Sequence, residues 1–374
     1  MTYLRAVIPA LAGALLLTAL LWWAGASTAA VRLPGGADTL GAGTAAELER
    51  WLAPWAYDPP DFLRPGSQTP GDTAYKVGGS RYLALHATAL QIRFCAVFAL
   101  FLPGALLLLR RLPPTHGRTP ATLLALWGWG TVAGTLAVGV SAPWLIASGG
   151  RGSYRFLPQL AAVLASGRQV LVVAALVAAA VTVLVARVAA KGAGIPPRTP
   201  VPAGPARRAA TVGTAAVALS LLVLSYDGIA AAIQSAPSPG GFLDEPGDLL
   251  RQWLLLGGWT APVAGPLGEW VLYRAVDVLV LVLVWWALRL LPGLLTRVTV
   301  PAMAAGAVSA TVLALLAGQS LRGALDGAGQ GPGPLSALGN LGHGVPAALT
   351  WGVVAGIAAT VTLGTARRKE RGTS

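Results

Sequence analysis

An acid and a base stand three residues apart inside one apolar segment of this chain. Asp277 follows Arg274 in a run of apolar residues, and Glu269 precedes both. Residues at i and i+3 share one face of a helix, so the two side chains can form an ion pair. Charge at membrane depth is unfavourable unless it is paired or hydrated. The pattern predicts a structural pair or, alternatively, a proton or ion relay in which Asp227 would be a further acid.

Two more acids, Asp58 and Asp61, lie in the proline-rich sequence Asp58-Pro59-Pro60-Asp61. A carboxylate at the outer face could act as a general base on a lipid-linked substrate, which makes both residues catalytic candidates. Aspartate is also common in such segments because it stabilises turns. Polytopic transferases for lipid-linked sugars resemble this chain in their large first outer loop. Their acid closely follows the first span, however, and residues 27–36 contain no acid here.

The chain has three histidines and a single cysteine. His86 and His343 each precede a predicted span on the outer side and could together bind a metal or haem, whereas His116 lies in a basic turn. Metal sites usually recruit acidic or sulfur ligands as well, and none accompanies these histidines. The cysteine, Cys95, lies inside an apolar run. Because it is the only one in the sequence, an intramolecular disulfide and a cysteine-based metal site are excluded. No cofactor and no metal are therefore predicted.

The elements that hold these residues are suited to lipid rather than to water. The chain has 374 residues, of which 55% are hydrophobic and 11% charged, whereas a soluble protein carries about 25% charged residues. Apolar blocks of about 20 residues match the length that crosses about 30 Å of hydrocarbon. We therefore predict an all-α, polytopic transmembrane bundle of about eight spans, at about 6–26, 93–109, 121–146, 169–187, 209–226, 270–288, 298–317 and 346–366.

The first block ends in Ala24-Gly25-Ala26-Ser27, which also resembles a secretory cleavage site. An uncleaved anchor is the preferred interpretation. Cleavage would leave seven spans without changing the orientation of the others.

Basic residues are concentrated in alternate connections between the spans. One set of connections holds 15 Lys and Arg residues and a single acid, although the whole chain contains 27 basic and 14 acidic residues. Because Lys and Arg near span ends are retained in the cytoplasm, this asymmetry predicts a cell (inner) membrane protein with both termini cytoplasmic. It also accounts for the net charge of +13 without nucleic acid. The sequence has 24 arginines and only 3 lysines, which suggests a GC-rich bacterial source.

The two halves of the chain share one order of spans and connections. Residues 1–190 form the first four-helix unit with an outer cap segment at about 27–92. A basic, Gly- and Pro-rich linker at 191–208 leads to the second unit at 209–374. Arg93 and Arg274, 181 residues apart, enter the second and sixth spans. These features predict a duplicated unit in parallel orientation, although Ala/Leu-rich segments can also resemble each other by chance.

Two glycine pairs have the spacing that allows helices to approach closely, namely Gly130 with Gly134 and Gly352 with Gly356. They predict helix packing within the chain or, alternatively, a homodimer. The apparent duplication, the short inner loops and the scarcity of catalytic motifs favour a transporter-like or permease-type membrane subunit over an enzyme. Its expected partners are the lipid bilayer, other membrane subunits or a second copy. An outer-face enzyme of the glycosyl transferase type is the alternative.

Overall fold

The computed structural model describes residues 3–31, 41–57, 75–114, 117–148, 156–191, 201–235, 246–259, 267–327 and 338–372. These residues contain helices and no strand. Eight of the helices are long and apolar enough to span a membrane, and each coincides with one predicted span. The prediction of an all-helical fold is therefore confirmed for the described residues, and eight helices have the length and composition that the predicted spans require.

The helices of the described residues are numbered here along the chain. They are α1 (Tyr3–Ala26), α2 (Thr28–Val31), α3 (Ala42–Leu52), α4 (Tyr75–Arg111), α5 (Thr119–Ser148), α6 (Phe156–Ala165), α7 (Arg168–Ala189), α8 (Ala203–Ala218), α9 (Asp227–Ser235), α10 (Pro246–Leu254), α11 (Leu267–Leu294), α12 (Val300–Gly327) and α13 (Val345–Gly372). A 3₁₀ turn, Ala53–Trp55, follows α3, and a π-helical turn, Leu219–Leu224, extends α8. The spans are α1, α4, α5, α7, α8, α11, α12 and α13.

Local sequence explains how several of these helices begin and end. Both α5 and α12 carry proline at their second residue, Pro120 and Pro301. Proline is tolerated there because the first turn of a helix leaves its N–H groups without intrahelical partners. Arg110 and Arg111 close α4, where their charge interacts favourably with the negative end of the helix dipole.

Each half of the chain forms a ring of four spans with the same order of neighbours. In the first half, α1 and α5 each contact both α4 and α7; in the second, α8 and α12 each contact both α11 and α13. The halves meet chiefly where α5 crosses α12, and further contacts join α4 to α12 and α5 to α13. The interior of the bundle is made largely of alanine, leucine and valine.

Glycine allows the closest of these approaches. A Cβ atom on Gly128 would lie 2.7 Å from the Cα of Ser309, and the Ser309 hydroxyl donates a hydrogen bond of 2.8 Å to the carbonyl of Ala125. The predicted glycine pairs also pack within the chain: Gly130 and Gly134 face Ala175 and Leu171 of α7, and Gly352 and Gly356 face Val308 and Ala304 of α12. Helix packing inside the monomer is thus the role the structure gives them.

Short helices cover one end of the bundle. We call the end that carries α3, α6, α9 and α10 the outer end. There α6 contacts α10, and the Gln252 side-chain amide donates a hydrogen bond of 2.7 Å to the carbonyl of Ala161. Since α6 belongs to the first half and α10 to the second, this pair of helices joins the halves above the crossing of α5 and α12.

Two segments differ from the sequence-based expectation. Helix α4 begins at Tyr75, so residues 75–92 extend a span, although the sequence predicts that they belong to the outer cap segment. The sequence also predicts that Asp227 lies at the outer end of the fifth span. That span ends with the π-helical turn, and Asp227 instead begins α9, where its side chain is exposed.

Candidate functional site

Asp277 lies in α11 with 1% of its side chain exposed. Its Oδ2 is 3.0 Å from Nη1 of Arg274, so the pair predicted from the i, i+3 spacing is present. The Oδ1 atom accepts a hydrogen bond from Nη2 of Arg322, which belongs to α12. One buried carboxylate therefore holds two arginines and links α11 to α12.

Further acids surround this cluster at the surface. Asp326 of α12 is exposed and accepts a hydrogen bond from the hydroxyl of Tyr273 on α11. Asp227 is also exposed and lies close enough to Arg274 for a charge interaction. A relay would require acids at the depth of Asp277, and both of these lie at the surface. The arrangement has the geometry of an ion-pair network that fixes α11 against α12.

Arg274 is also held by an aromatic ring and a backbone carbonyl. Its guanidinium carbon lies 4.2 Å from the centre of the Trp259 ring, within the range of a cation–π interaction. Its Nη1 donates a hydrogen bond of 3.1 Å to the carbonyl of Gly258, the residue before that tryptophan. The outer segment after α10 is thereby attached to the sixth span.

Arg93 of α4 has the same relation to a tryptophan in the first half. Its guanidinium carbon lies 5.6 Å from the centre of the Trp55 ring, and its Nη1 donates a hydrogen bond to the carbonyl of Pro54, again the residue before the tryptophan. In both halves an arginine near the outer end of a span thus binds the ring of a tryptophan and the carbonyl that precedes it.

The two arginines differ in how their charge is balanced. Arg93 is only 1% exposed, and its Nε donates a hydrogen bond of 2.9 Å to the hydroxyl of Ser141 on α5. Among the described residues no acid pairs with it, and its Nη2 has no hydrogen-bond acceptor. His86, on the same helix, is 7% exposed, and neither of its ring nitrogens is hydrogen-bonded. The first half therefore buries a cation on neutral hydrogen-bond acceptors.

A cavity of about 400 Å³ lies between the two halves. It is surrounded by the spans α5 and α13 and by the short helices α6 and α10. The residues that line it are Val132, Thr135, Leu136, Gly139, Val140, Leu160, Leu164, Leu249, Trp253, Val345, Pro346 and Leu349. The hydroxyl of Thr135 already donates a hydrogen bond of 2.8 Å to the carbonyl of Thr131. The described residues of the lining thus offer an apolar surface, and none of them carries a charge.

Comparison with known proteins gives no relative. No protein-family model, no curated protein and no solved structure matches this chain. The ion-pair and arginine–tryptophan clusters and the cavity are therefore the features of this chain that bear on its function.

The remaining candidate residues are separated in the structure. Nδ1 of His343, just before α13, accepts a hydrogen bond of 2.8 Å from Nη1 of Arg168, while His86 lies beside Arg93 in α4. In the described ranges no group of three or more His, Cys, Asp and Glu residues could hold a metal ion. Asp58 and Asp61, the predicted catalytic acids, lie outside the described residues.

Sequence reasoning missed Arg322, the two tryptophans and the cavity. The sequence predicts that the seventh span ends at residue 317, so Arg322 lies outside every predicted span. The tryptophans do leave a signal in the sequence. Each of Trp55 and Trp259 follows a Trp-Leu pair within a few residues, at Trp51 and Trp253.

Proposed function

We propose that this chain is a permease-type membrane component, without catalytic activity of its own, that accommodates an apolar molecule between its two halves. The observation that carries the proposal is the cavity of about 400 Å³, whose walls come from both halves. Ligand pockets commonly measure about 300–1,000 Å³ and lie where structural units meet. The cavity is therefore our candidate binding site for the transporter-like role that the sequence predicts.

The lining of the cavity supports an apolar cargo. A hydrated ion or a sugar would lose its hydrogen bonds to water there and find few replacements, at a cost of about 2–7 kcal/mol for each unpaired polar group. Hydrocarbon has no hydrogen bonds to lose, and its burial is favourable by about 25 cal/mol per Å². The cavity therefore suits an acyl chain or a similar hydrocarbon group.

Duplication of a four-helix unit supports the two-half design. The rings of spans have the same neighbour order, and Arg93 and Arg274 bind tryptophan and carbonyl in the same way. We propose that residues 1–190 and 209–374 are parallel copies about an axis along the membrane normal. We also propose that the linker predicted at 191–208, whose residues 203–208 form the start of α8, joins them in the cytoplasm. Such repeats commonly place a binding site at the interface between copies.

The basic connections support a place in the inner membrane of a bacterial cell, with both termini in the cytoplasm. The cavity, close to the short outer helices, would then face the outer leaflet. Other membrane subunits or a second copy remain the proposed partners. The enzyme alternative depended on Asp58 and Asp61, and nothing in the described residues favours it.

Photolabelling tests the proposal. The chain is reconstituted in bilayers of phosphatidylcholine with increasing amounts of a phosphatidylcholine whose acyl chain carries a diazirine, and the labelled peptides are identified after irradiation. We expect saturable labelling of α5 and α13 peptides. Leu136→Trp, which fills part of the cavity, should abolish it.

The control for this substitution is Leu184→Trp. Leu184 is 63% exposed on α7 and is absent from the cavity lining, so the same change in volume there should leave the saturable labelling intact. Labelling that rises linearly with probe concentration on all lipid-facing helices would contradict the proposal.

A further inference from the structure

Three nitrogen-bearing side chains lie close in the chain to residues that line the apolar cavity, although none of the three is itself a lining residue. The cavity walls include residues of α6, α10 and α13. Arg168 begins α7 directly after α6, Arg251 lies on α10, and His343 directly precedes α13. Nη1 of Arg168 lies 2.8 Å from Nδ1 of His343, and Arg251 is near enough to His343 for a charge interaction. We call these three side chains a cluster.

This cluster is held in place by hydrogen bonds from neighbouring helices. The Gln319 side chain of α12 accepts a hydrogen bond of 2.9 Å from the N–H of Gly342 and donates one of 2.6 Å to the carbonyl of His343. The Gln169 amide donates a hydrogen bond of 2.5 Å to the carbonyl of Gly339. The segment before α13 is thereby fixed against α7 and α12.

His343 does not neutralise the arginine that it contacts. Because a guanidinium can only donate, Nδ1 of His343 must be the acceptor in its contact with Arg168. The surrounding protein atoms and the two arginines lower the pKa of His343, so its ring is neutral at physiological pH. Arg168 therefore keeps its full positive charge.

Neither arginine of the cluster has an acidic partner in the part of the chain that the structure describes. The ion pairs found there join Asp277 to Arg274 and Arg322. The Nε atom of Arg168 is buried and has no hydrogen-bond acceptor, while Arg251 is exposed. The cluster thus presents two cations, one of them with an unused buried donor, next to an apolar space.

We infer that the cavity binds an anionic amphiphile, a phospholipid of net negative charge, with an acyl chain in the apolar space and its phosphate against Arg168 and Arg251. This inference depends on the proposed function and specifies its cargo. Arginine matches phosphate oxygens with two parallel hydrogen bonds. A lipid satisfies both features at once, since free phosphate would leave the apolar cavity unfilled and a neutral hydrocarbon would leave the arginines unpaired.

The test compares two photoreactive lipids with identical diazirine-bearing acyl chains, phosphatidylglycerol and diacylglycerol, in the same bilayers. Diacylglycerol has no phosphate and therefore reports the apolar space alone. In the wild-type protein the phosphatidylglycerol probe should half-saturate α5 and α13 labelling at the lower concentration. In the double variant Arg168→Gln with Arg251→Gln, its half-saturating concentration should rise by about tenfold or more, since tenfold is about the loss expected for a single charge-assisted hydrogen bond. The diacylglycerol probe should be unaffected, which also shows that the variant is folded.

Arg81→Gln is the matched control, because Arg81 is an exposed arginine near the outer end of α4; it should leave both probes unchanged. If the double variant loses diacylglycerol labelling through misfolding, the single variant Arg251→Gln replaces it, with an expected increase of roughly threefold for one exposed charge. Equal half-saturation by both probes in wild type, or an unchanged phosphatidylglycerol value in the variants, would overturn the inference. Absence of saturable labelling by either probe would instead contradict the proposed function.

Discussion

Gly128 of α5 lies directly against Ser309 of α12, and the two residues are 181 positions apart in the chain. The same separation relates Thr119 to Val300, the first residues of these two helices. Near a two-fold axis a residue contacts its own equivalent. The contact between Gly128 and Ser309 is therefore what the proposed duplication requires at the centre of the molecule.

Substitution of Gly128 tests how tightly the halves are packed. In Gly128→Ala the new methyl group would lie 2.7 Å from the Cα of Ser309, so the backbones of α5 and α12 must separate. We expect the free energy of unfolding to fall by about 1–3 kcal/mol, as for other overpacked sites. Thermal unfolding in detergent measures the change. Gly364→Ala is the control, because nothing lies within 4 Å of its added Cβ; equal melting temperatures for the two variants would refute a tight crossing.

Removal of the Asp277 carboxylate should leave two cations near the hydrocarbon. For Asp277→Asn we expect a loss of about 3–5 kcal/mol in the free energy of unfolding, as for other broken buried pairs. The sequence alone predicts that neutralising Arg274 as well restores stability. The structure corrects this expectation, because Arg322 also binds Asp277 and would remain unpaired.

The first half suggests which second substitution restores stability. Ala96 and Ser141 occupy the positions 181 residues before Asp277 and Arg322. The double variant Asp277→Ala with Arg322→Ser copies that arrangement and keeps Arg274 on Trp259. We expect its melting temperature to exceed that of Asp277→Asn and that of Arg274→Gln with Asp277→Asn. The reverse order would show that Arg274, not Arg322, is the main partner of the acid.

Titration of His343 should make stability depend on pH. Surrounding protein atoms, Arg168 and Arg251 lower its pKa from 6.5 to about 4. Between these values the unfolded state binds more protons than the folded state, so the free energy of unfolding falls as the pH falls. Melting temperatures in detergent should decrease more steeply over this window for wild type than for His343→Gln. Parallel curves would show that His343 does not titrate on unfolding.

Reporter fusions test the proposed orientation. A reporter that is active only in the cytoplasm should be active when fused after Ser374 and inactive when inserted near Gly71, because basic connections stay inside. A periplasmic reporter should give the opposite result at both sites. Cytoplasmic activity at the Gly71 insertion would exclude the assigned topology.

The number and positions of the spans could be predicted because apolar runs of sufficient length have few other structures available in lipid. The residue at which α4 begins could not be predicted. Residues 75–92 contain Lys76, Arg81 and His86, and a hydropathy pattern cannot separate a helix that rises above the membrane from an irregular outer segment. Backbone hydrogen bonds extend the helix there regardless of its polarity.

The candidate clusters were partly predictable. The pair of Arg274 and Asp277 follows from helical spacing alone, whereas Arg322 joins it through the packing of α12 against α11, which spacing within one helix does not report. The cavity depends on how α5 and α13 pack beneath α6 and α10, since residues of all four helices line it. Contacts between helices that are distant in the chain are a property of the assembled bundle.

Arg93 is held by neutral hydrogen-bond acceptors, whereas Arg274 is paired with the acid Asp277. Under the proposed duplication, this difference restricts the order in which the two halves could have acquired their substitutions. An ancestor that resembled either half could reach the other only by changing both the Asp277 position and the Arg322 position. An intermediate with the second arginine and no acid would bury two like charges side by side. An intermediate with the acid alone keeps a matched pair with Arg274. In either direction, the favoured intermediate therefore has the carboxylate and lacks the second arginine.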